Sequence, residues 1–393
     1  MSISLTPENT LPVDTPSATL IGRAWIPGPT AGPAPVVLRS DGVFDLSRHF
    51  ATISDLLELN DPLQALAHSP GTFIASVEEL LGNTGAHCDP LKPFLLAPMD
   101  LQVIKAAGVT FAASMIERVI EEKAGGDAAL AEGVRAIVRE VIGDNLRAVK
   151  PGSEQAMRLK AVLLEKGMWS QYLEVGIGPD AEIFTKAPVL SAVGSASQIG
   201  IHPGSQWNNP EPEVVLAVNS RGQVQGATLG NDVNLRDVEG RSALLLGKAK
   251  DNNASCAIGP FIRLFDEHFG LDDVRNCVID LEVRGEDGYL LHGSSSMDQI
   301  SRDPLDLVGQ TLNAHHQYPD GFMLFLGTLF APTEDRDHPG AGFTHKTGDR
   351  VRISSPRLGG LHNQVTHSHT ARPWTFGISA LLHNLSARGL LKH

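Results

Sequence analysis

Glu211 and Glu213 sit two residues apart in the run Trp207-Asn208-Asn209-Pro210-Glu211-Pro212-Glu213-Val214-Val215-Leu216-Ala217-Val218. In a strand, side chains alternate faces, so both carboxylates point to one side while Val214, Leu216 and Val218 point to the other. Two adjacent carboxylates repel each other unless something positive lies between them. A divalent cation meets that need. The following segments, Gly230-Asn231-Asp232-Val233-Asn234-Leu235-Arg236-Asp237 and Gly247-Lys248-Ala249-Lys250-Asp251-Asn252-Asn253, offer a third carboxylate and a cationic side chain. With no Cys or His pair nearby, the expected site is hard and oxygen-ligated, of the Mg²⁺, Mn²⁺ or Ca²⁺ type.

The elements that must position these groups are mostly strands. From Ser170 to about Thr366, runs rich in Val, Ile, Leu and Phe alternate with Gly, Pro, Asn and Asp turns. Glu213–Asn219, Val278–Val283, Phe322–Leu326 and Arg350–Ser354 read as strands, and Asp303–His315 as a helix. Upstream, Ile104–Phe111 reads as the end of a strand running into a helix over Ala112–Ala124. Such a junction is a common place for a site, so Ser114, Glu117 and Arg118 are candidates to face it. Helices follow over Ala128–Ile142 and Ser153–Lys166. Residues 1–99 read as a small N-terminal α+β domain, with strands over Thr19–Ala24, Pro35–Leu38 and Val43–Leu46 and helices over Ile53–Ala67 and Pro70–Leu81. Residues 100–393 form the expected catalytic domain, with a short packing helix at Ala380–Leu391.

Bulk properties narrow the function class. The chain has 393 residues and a formal charge of −13, which argues against a nucleic-acid partner. No apolar run approaches the ~18 residues that span a bilayer, and the first residues lack the pattern of a signal peptide. Cys88, Cys256 and Cys277 form neither a disulfide framework nor a zinc motif, so a cytoplasmic protein is expected. Cys256 is read as a small buried hydrophobe. His315, His316, His362, His367 and His369 lack zinc-site spacing and are read as structural or solvated.

Several motifs in series resemble the fumarylacetoacetate hydrolase family: Gly108-Val109-Thr110-Phe111, Phe184-Thr185-Lys186-Ala187-Pro188, Glu211-Pro212-Glu213, Asn231 to Asp237, Lys250 ahead of Gly259-Pro260, Tyr318-Pro319-Asp320-Gly321 with Gly327-Thr328, and the closing runs Gly348 to Val351 and Gly360 to Val365. The likeness covers roughly Ile104 to Val365. It implies an α+β, β-rich fold, a mixed β-sandwich or roll, and a homodimer or homotetramer. It implies Mg²⁺ held by Glu211, Glu213 and Asp232, with a small-molecule 2-keto acid as substrate.

The resemblance also suggests roles. Family hydrolases acting on acylpyruvates carry a His and a Glu, three residues apart, to activate water. Here those positions are Ser114 and Glu117, and the His is absent. The layout resembles instead the branch that dehydrates 2-keto-3-deoxy pentonates to 2,5-dioxopentanoate. The family pattern then makes Glu182, Lys250 and Thr328 the catalytic candidates, with Ser114, Arg118, Lys250 and Thr328 lining the substrate. Glu182 is assigned to the hydroxyl end and Lys250 to the enolate end, as a base of lowered pKa or as a fixed positive charge. Arg236 and Asp237 are expected to form an ion pair supporting the metal loop. Ser296, Met297 and Arg302 resemble a segment beside the active site and receive no role. The alternative is a hydrolase that releases pyruvate from a 2,4-diketo acid, with a water beside Glu117.

Overall fold

The computed structural model describes residues 3–391 apart from residues 128, 132, 134, 136–148, 166, 168, 331 and 339–341. Most of the helix expected over Ala128–Ile142 lies outside these residues.

The strand that carries Glu213 and directly follows Glu211, β10 (Pro212–Val218), is buried along its whole length. It lies deep inside an 11-stranded mixed sheet. The other strands are β1 (Leu20–Ile26), β2 (Gly32–Arg39), β3 (Gly42–Asp45), β4 (Thr72–Ala75), β5 (Phe94–Leu95), β6 (Val103–Gly108), β7 (Glu182–Ala187), β11 (Val224–Asp232), β13 (Cys256–Leu264) and β16 (Phe322–Phe325). Their order is β4-β3-β2-β1-β13-β11-β10-β16-β6-β7, with β5 against β1. A second sheet, ordered β15-β14-β17-β18-β8, uses β8 (Ser197–Ile201), β14 (Val278–Arg284), β15 (Leu290–Ser296), β17 (Arg350–Ser355) and β18 (Gly359–His367), and the short strands β9 (Asn208–Asn209) and β12 (Asn234–Leu235) pair with each other.

Strand alternation builds the two layers. Val214, Leu216 and Val218 join Ile279, Leu281, Val283, Val351, Ile353, Leu361 and Val365 in the core between the sheets. Val215 and Ala217, on the opposite face, pack with Ile21, Val37, Leu46, Ile53, Met323 and Phe325. β10 is therefore apolar on both faces, and polar side chains on it occur only at its start. The strands of residues 1–99 continue the same large sheet, since Leu20 and Ile21 of β1 pair with Arg263 and Ile262 of β13.

Several helix expectations change in the fold. Ile53–Ala67 is two helices, Ile53–Leu57 and Pro62–Ala67, because Asp61 caps the second through Gln64 N at 2.8 Å and Pro62 begins it. Pro70–Leu81 opens as β4, and its helix starts only at Val77, where Ser76 and Glu79 form a capping box. Ser170 does not open a β region; it caps a helix over Gln171–Ile177 through Tyr172 N. The helices Ala112–Lys123, Glu154–Glu165, Pro304–Thr311 and Ile378–Ala387 fall close to the expected ranges. Among the described residues, no helix is long and apolar enough to cross a membrane.

Candidate metal centre and active site

The site forms where β10 begins and β11 ends. Their antiparallel register places Pro212 opposite Asn231 and Glu213 opposite Gly230. Glu211 consequently faces Asp232, whose N–H donates to the Glu211 carbonyl at 3.1 Å. Glu211, Glu213 and Asp232 are all buried, each 1 % exposed. One ligand oxygen from each lies within 4.8 Å of the others.

Strand alternation and register therefore gather three acids in an interior that disfavours their charge. Burial, and then repulsion from Asp232 and Glu211, holds the Glu213 carboxyl well above the usual carboxylate range. Burial also opposes the charge on Glu211, but Lys250 and Arg118 outweigh it and lower its pKa. Three oxygen donors that cannot comfortably ionise together suit a hard divalent cation, which would favour all three charged forms. Glu211, Glu213 and Asp232 thus form a group that could hold a divalent cation.

Two lysines border it. Lys250, last residue of the Leu246–Lys250 helix, places Nζ 2.5 Å from Glu211 Oε2 and 2.9 Å from Asp232 Oδ2. Burial lowers its proton affinity, yet Asp232, Glu211 and Glu239 together raise it above the ordinary lysine value. These carboxylates favour the charged form of Lys250, which suits the fixed positive charge among the two roles that the sequence allowed. Lys186 on β7 is fully buried, with Nζ 2.9 Å from Asp232 Oδ1 and 3.2 Å from the Val233 carbonyl.

The Gly327–Thr328 pair follows β16. Gly327 has φ 103°, a conformation that favours glycine, and its N–H donates to Glu213 Oε2 at 2.7 Å. Thr328 Oγ1 donates to Glu213 Oε1 at 3.2 Å. The Ser114 hydroxyl donates to the Thr328 carbonyl. These donors fix Glu213 and leave Thr328 against a metal ligand.

Glu182 begins β7, paired with Gly108 at the end of β6. A Cβ on Gly108 would lie 1.9 Å from Glu182 Oε2, so the glycine leaves room for the carboxyl. Glu182 is half-buried. Burial first, and then the Glu239 charge, raise its pKa to about 7, with Arg118 and Lys250 pulling the other way. It is a carboxyl able to gain or lose a proton near neutrality.

Arg118 lies behind Glu211. Its guanidinium contacts Glu121 Oε2 at 2.6 Å, Glu239 Oε2 at 2.9 Å and Glu211 Oε1. Its donors are directed at these carboxylates, so it orients a metal ligand. Arg236 and Asp237 do not pair. Arg236 reaches Glu121 Oε1 at 2.6 Å and Glu117 Oε2 at 3.2 Å and stacks 4.3 Å from the Trp207 ring centroid. Asp237 turns away and accepts from Ser205 Oγ at 2.7 Å and Gln206 N at 2.9 Å. The short helix Arg236–Glu239 sends these adjacent side chains in different directions. Glu117 also accepts from Arg135, and although burial opposes its charge, the arginines hold its pKa below the ordinary value. Cys256 is buried, and its thiol is pushed up to about 12, by burial first.

Three participants were missed by sequence reasoning. Lys186 stood inside a quoted motif but received no role. Glu121 and Glu239 carried no local signal beyond being acidic, because their partners come from other elements.

Residues 177–366 match the family described as fumarylacetoacetate (FAA) hydrolase, C-terminal. The probable 2-keto-3-deoxyxylonate dehydratase of Haloferax volcanii is 27 % identical over 202 residues, 51 % of this chain and 66 % of that protein. The 2-dehydro-3-deoxy-D-arabinonate dehydratase of Saccharolobus solfataricus is 32 % identical over 184 residues, 47 % of this chain and 58 % of that protein. The chain thus spans less than two thirds of the length of these relatives. A solved 2-keto-3-deoxy-D-arabinonate dehydratase complexed with magnesium and 2,5-dioxopentanoate superposes with TM-score 0.60 and 19 % identity, covering 88 % of this chain and 99 % of that one. A fumarylacetoacetate hydrolase from Exiguobacterium antarcticum gives TM-score 0.52 and 17 % identity, over 89 % and 100 %. At these identities the structural likeness shows the shared fold.

Proposed function

Residues 177–366 of this chain match the fumarylacetoacetate hydrolase family, and from that likeness we propose that the protein is a member of it and a Mg²⁺-dependent dehydratase of 2-keto-3-deoxy pentonates. The substrate in this reading is 2-dehydro-3-deoxy-D-arabinonate, the product is 2,5-dioxopentanoate plus water, and the setting is non-phosphorylative pentose breakdown. The names of the two curated relatives support the reaction class. Three free cysteines among the described residues support a reducing, cytoplasmic setting.

The observation that carries the choice between lyase and hydrolase is the state of Glu117. Position 114 is Ser, and Glu117 is engaged by Arg135 and Arg236. A carboxylate bound by two guanidiniums and held below its ordinary pKa is a poor base for activating water. Dehydration needs no activated water. It needs a group that moves a proton and a fixed positive charge.

Glu211, Glu213 and Asp232 would hold the cation, which when bound supplies Lewis-acid stabilisation of the charge developing on a 2-keto acid. Lys250, kept protonated by its carboxylate neighbours, adds a positive charge at the same end. Glu182 removes the C3 proton and returns it to the C4 hydroxyl, which leaves as water. A single carboxyl with a pKa of about 7 can serve in both steps. The C3=C4 alkene so formed is an isomer of the product; moving a proton from C5 to C3 gives the C4=C5 enol, and transfer of the C5 hydroxyl proton to C4 then yields the aldehyde of 2,5-dioxopentanoate. Thr328 lies where it can hold a substrate oxygen beside Glu213.

The test is a product assay. Protein with Mg²⁺ is given 2-keto-3-deoxy-D- and L-arabinonate, and separately a 2,4-diketo acid. The proposal expects 2,5-dioxopentanoate, read by coupling to a semialdehyde dehydrogenase. Pyruvate from the diketo acid, with no dehydration, would replace this reading with the hydrolase.

A further inference from the structure

Arg302 is 4 % exposed, and its guanidinium serves no strong ion pair: its nearest carboxylate contact is Asp306 Oδ2, at 3.7 Å. It is spent on backbone carbonyls instead. Nη2 donates to Val175 O at 2.8 Å, Gly178 O at 2.7 Å and Asp180 O at 3.3 Å, and Nη1 to Pro179 O at 3.3 Å. These carbonyls belong to the end of the Gln171–Ile177 helix and to the turn that follows it. A helix terminus leaves carbonyls without intrahelical partners, and a planar fork of donors is well shaped to collect them. Two residues after the last of them, β7 begins with Glu182.

A second anchor comes from the same part of the chain. Gln310, on the Pro304–Thr311 helix, accepts from Ala181 N through Oε1 at 2.5 Å. The segment holding Arg302 is itself fixed, because Ser301 N and Oγ both donate to the Thr110 carbonyl at 2.8 Å. Thr110 Oγ1 in turn donates to Leu326 O at 2.6 Å, immediately before the Gly327–Thr328 pair. One short stretch of backbone thus ties the start of the Glu182 strand to the loop that holds Glu213.

We propose that Arg302 is a positioning residue that fixes Glu182 against the metal centre by clamping the carbonyls of residues 175–180. The inference rests on the role given to Glu182 above. Buried arginine donors shared among four carbonyls constrain the turn without adding a side chain to the site. Glu213 on β10, Asp232 on β11 and Glu211 just ahead of β10 are set by the β10–β11 register, which does not involve the clamped carbonyls.

The experiment has two arms, both using full-length protein with Mg²⁺. In the first, amide hydrogen exchange is compared between wild type and R302Q. Exchange is expected to accelerate over residues 175–183 and to stay unchanged over 211–216; unaltered protection of 175–183 overturns the clamp. In the second, kcat is measured for wild type, R302Q, E182Q and the double variant. Misplacing a reacting group by about 1 Å costs roughly 100-fold, so R302Q alone is expected to lose activity on that scale. In the E182Q background it should cost almost nothing further, whereas a merely structural defect would multiply with the E182Q loss. A full multiplicative loss overturns the proposal. If R302Q does not fold, Q310A removes the neighbouring anchor and is read by the same two quantities. If wild type dehydrates no 2-keto-3-deoxy acid, the functional reading falls, while the exchange arm still decides the clamp.

Discussion

Replacing Glu182 by Gln should cut kcat by about 10²–10⁴-fold, to a residual rate, and, in the same protein, increase stability at alkaline pH. The folded-state pKa of Glu182 is about 7, against an ordinary value of 4.5. Between those values the native protein binds a proton that the unfolded chain does not. Stability therefore falls as pH rises through that window, and the loss is complete above about pH 7. At about 1.36 kcal/mol per pH unit, the full cost approaches roughly 3 kcal/mol. Because Glu182 is only half-buried, solvent screening reduces this to about 1.5 kcal/mol. Gln keeps the shape and removes the charge, so E182Q should regain about that amount at pH 8.5 and little at pH 5. The assay is urea unfolding of both proteins, treated with chelator so that a bound cation does not mask the effect, comparing midpoints at equal slope. Equal midpoint differences at the two pH values, or a less stable variant at pH 8.5, would refute the account of burial and Glu239 repulsion. In Mg²⁺, E182Q should still bind metal while product formation falls to that residual rate.

Other outcomes follow from the same geometry. Thorough chelation should stop turnover; restoring Mg²⁺ at 100 times its Kd should raise unfolding stability by about 2.7 kcal/mol, and activity that survives chelation would contradict the metal role. Lys250→Met should destabilise the metal-free protein by about 3–5 kcal/mol, because Glu211 and Asp232 lose their shared partner; a neutral effect in urea unfolding would argue against that pairing. Gly108→Ala puts a methyl into the space of the Glu182 carboxyl, and since a side-chain tip can swing aside, kcat should fall with Mg²⁺ affinity nearly unchanged in calorimetry. With Glu182 starting as the carboxylate base, kcat/KM should rise with pH along an acid limb near or below pH 7, a neighbouring cation lowering its midpoint; a rate that instead declines across that range would recast Glu182 as an acid at the start of the cycle.

The pair Glu211 and Glu213 was legible because strand alternation depends on adjacent residues alone, and β10 obeys it, sending Val214, Leu216 and Val218 into the opposite core. Asp232, Lys250 and Thr328 were legible through motifs. The turn chemistry around Asp61-Pro62 and Ser76 was equally local, and the helix errors there came from following apolar spacing past a visible cap. The charge state of Lys250 was not legible. It depends on Asp232 and Glu239 as well as Glu211, brought together by the register of β10 with β11 and by the short helix carrying Glu239.

By itself, then, the sequence determined the kind of site: three oxygen donors that could hold a cation, with a lysine beside them, at the head of a doubly buried strand. Tertiary structure alone decided which charges meet. Arg118 reaches Glu211 across 93 positions of chain, and Lys186 reaches Asp232 from β7. Arg302 grips the turn ahead of Glu182 from more than 120 positions away. Side-chain type and local spacing fix what a residue can do chemically, but the field it feels and the backbone it anchors depend on strand order and register, which bring together residues far apart in the chain.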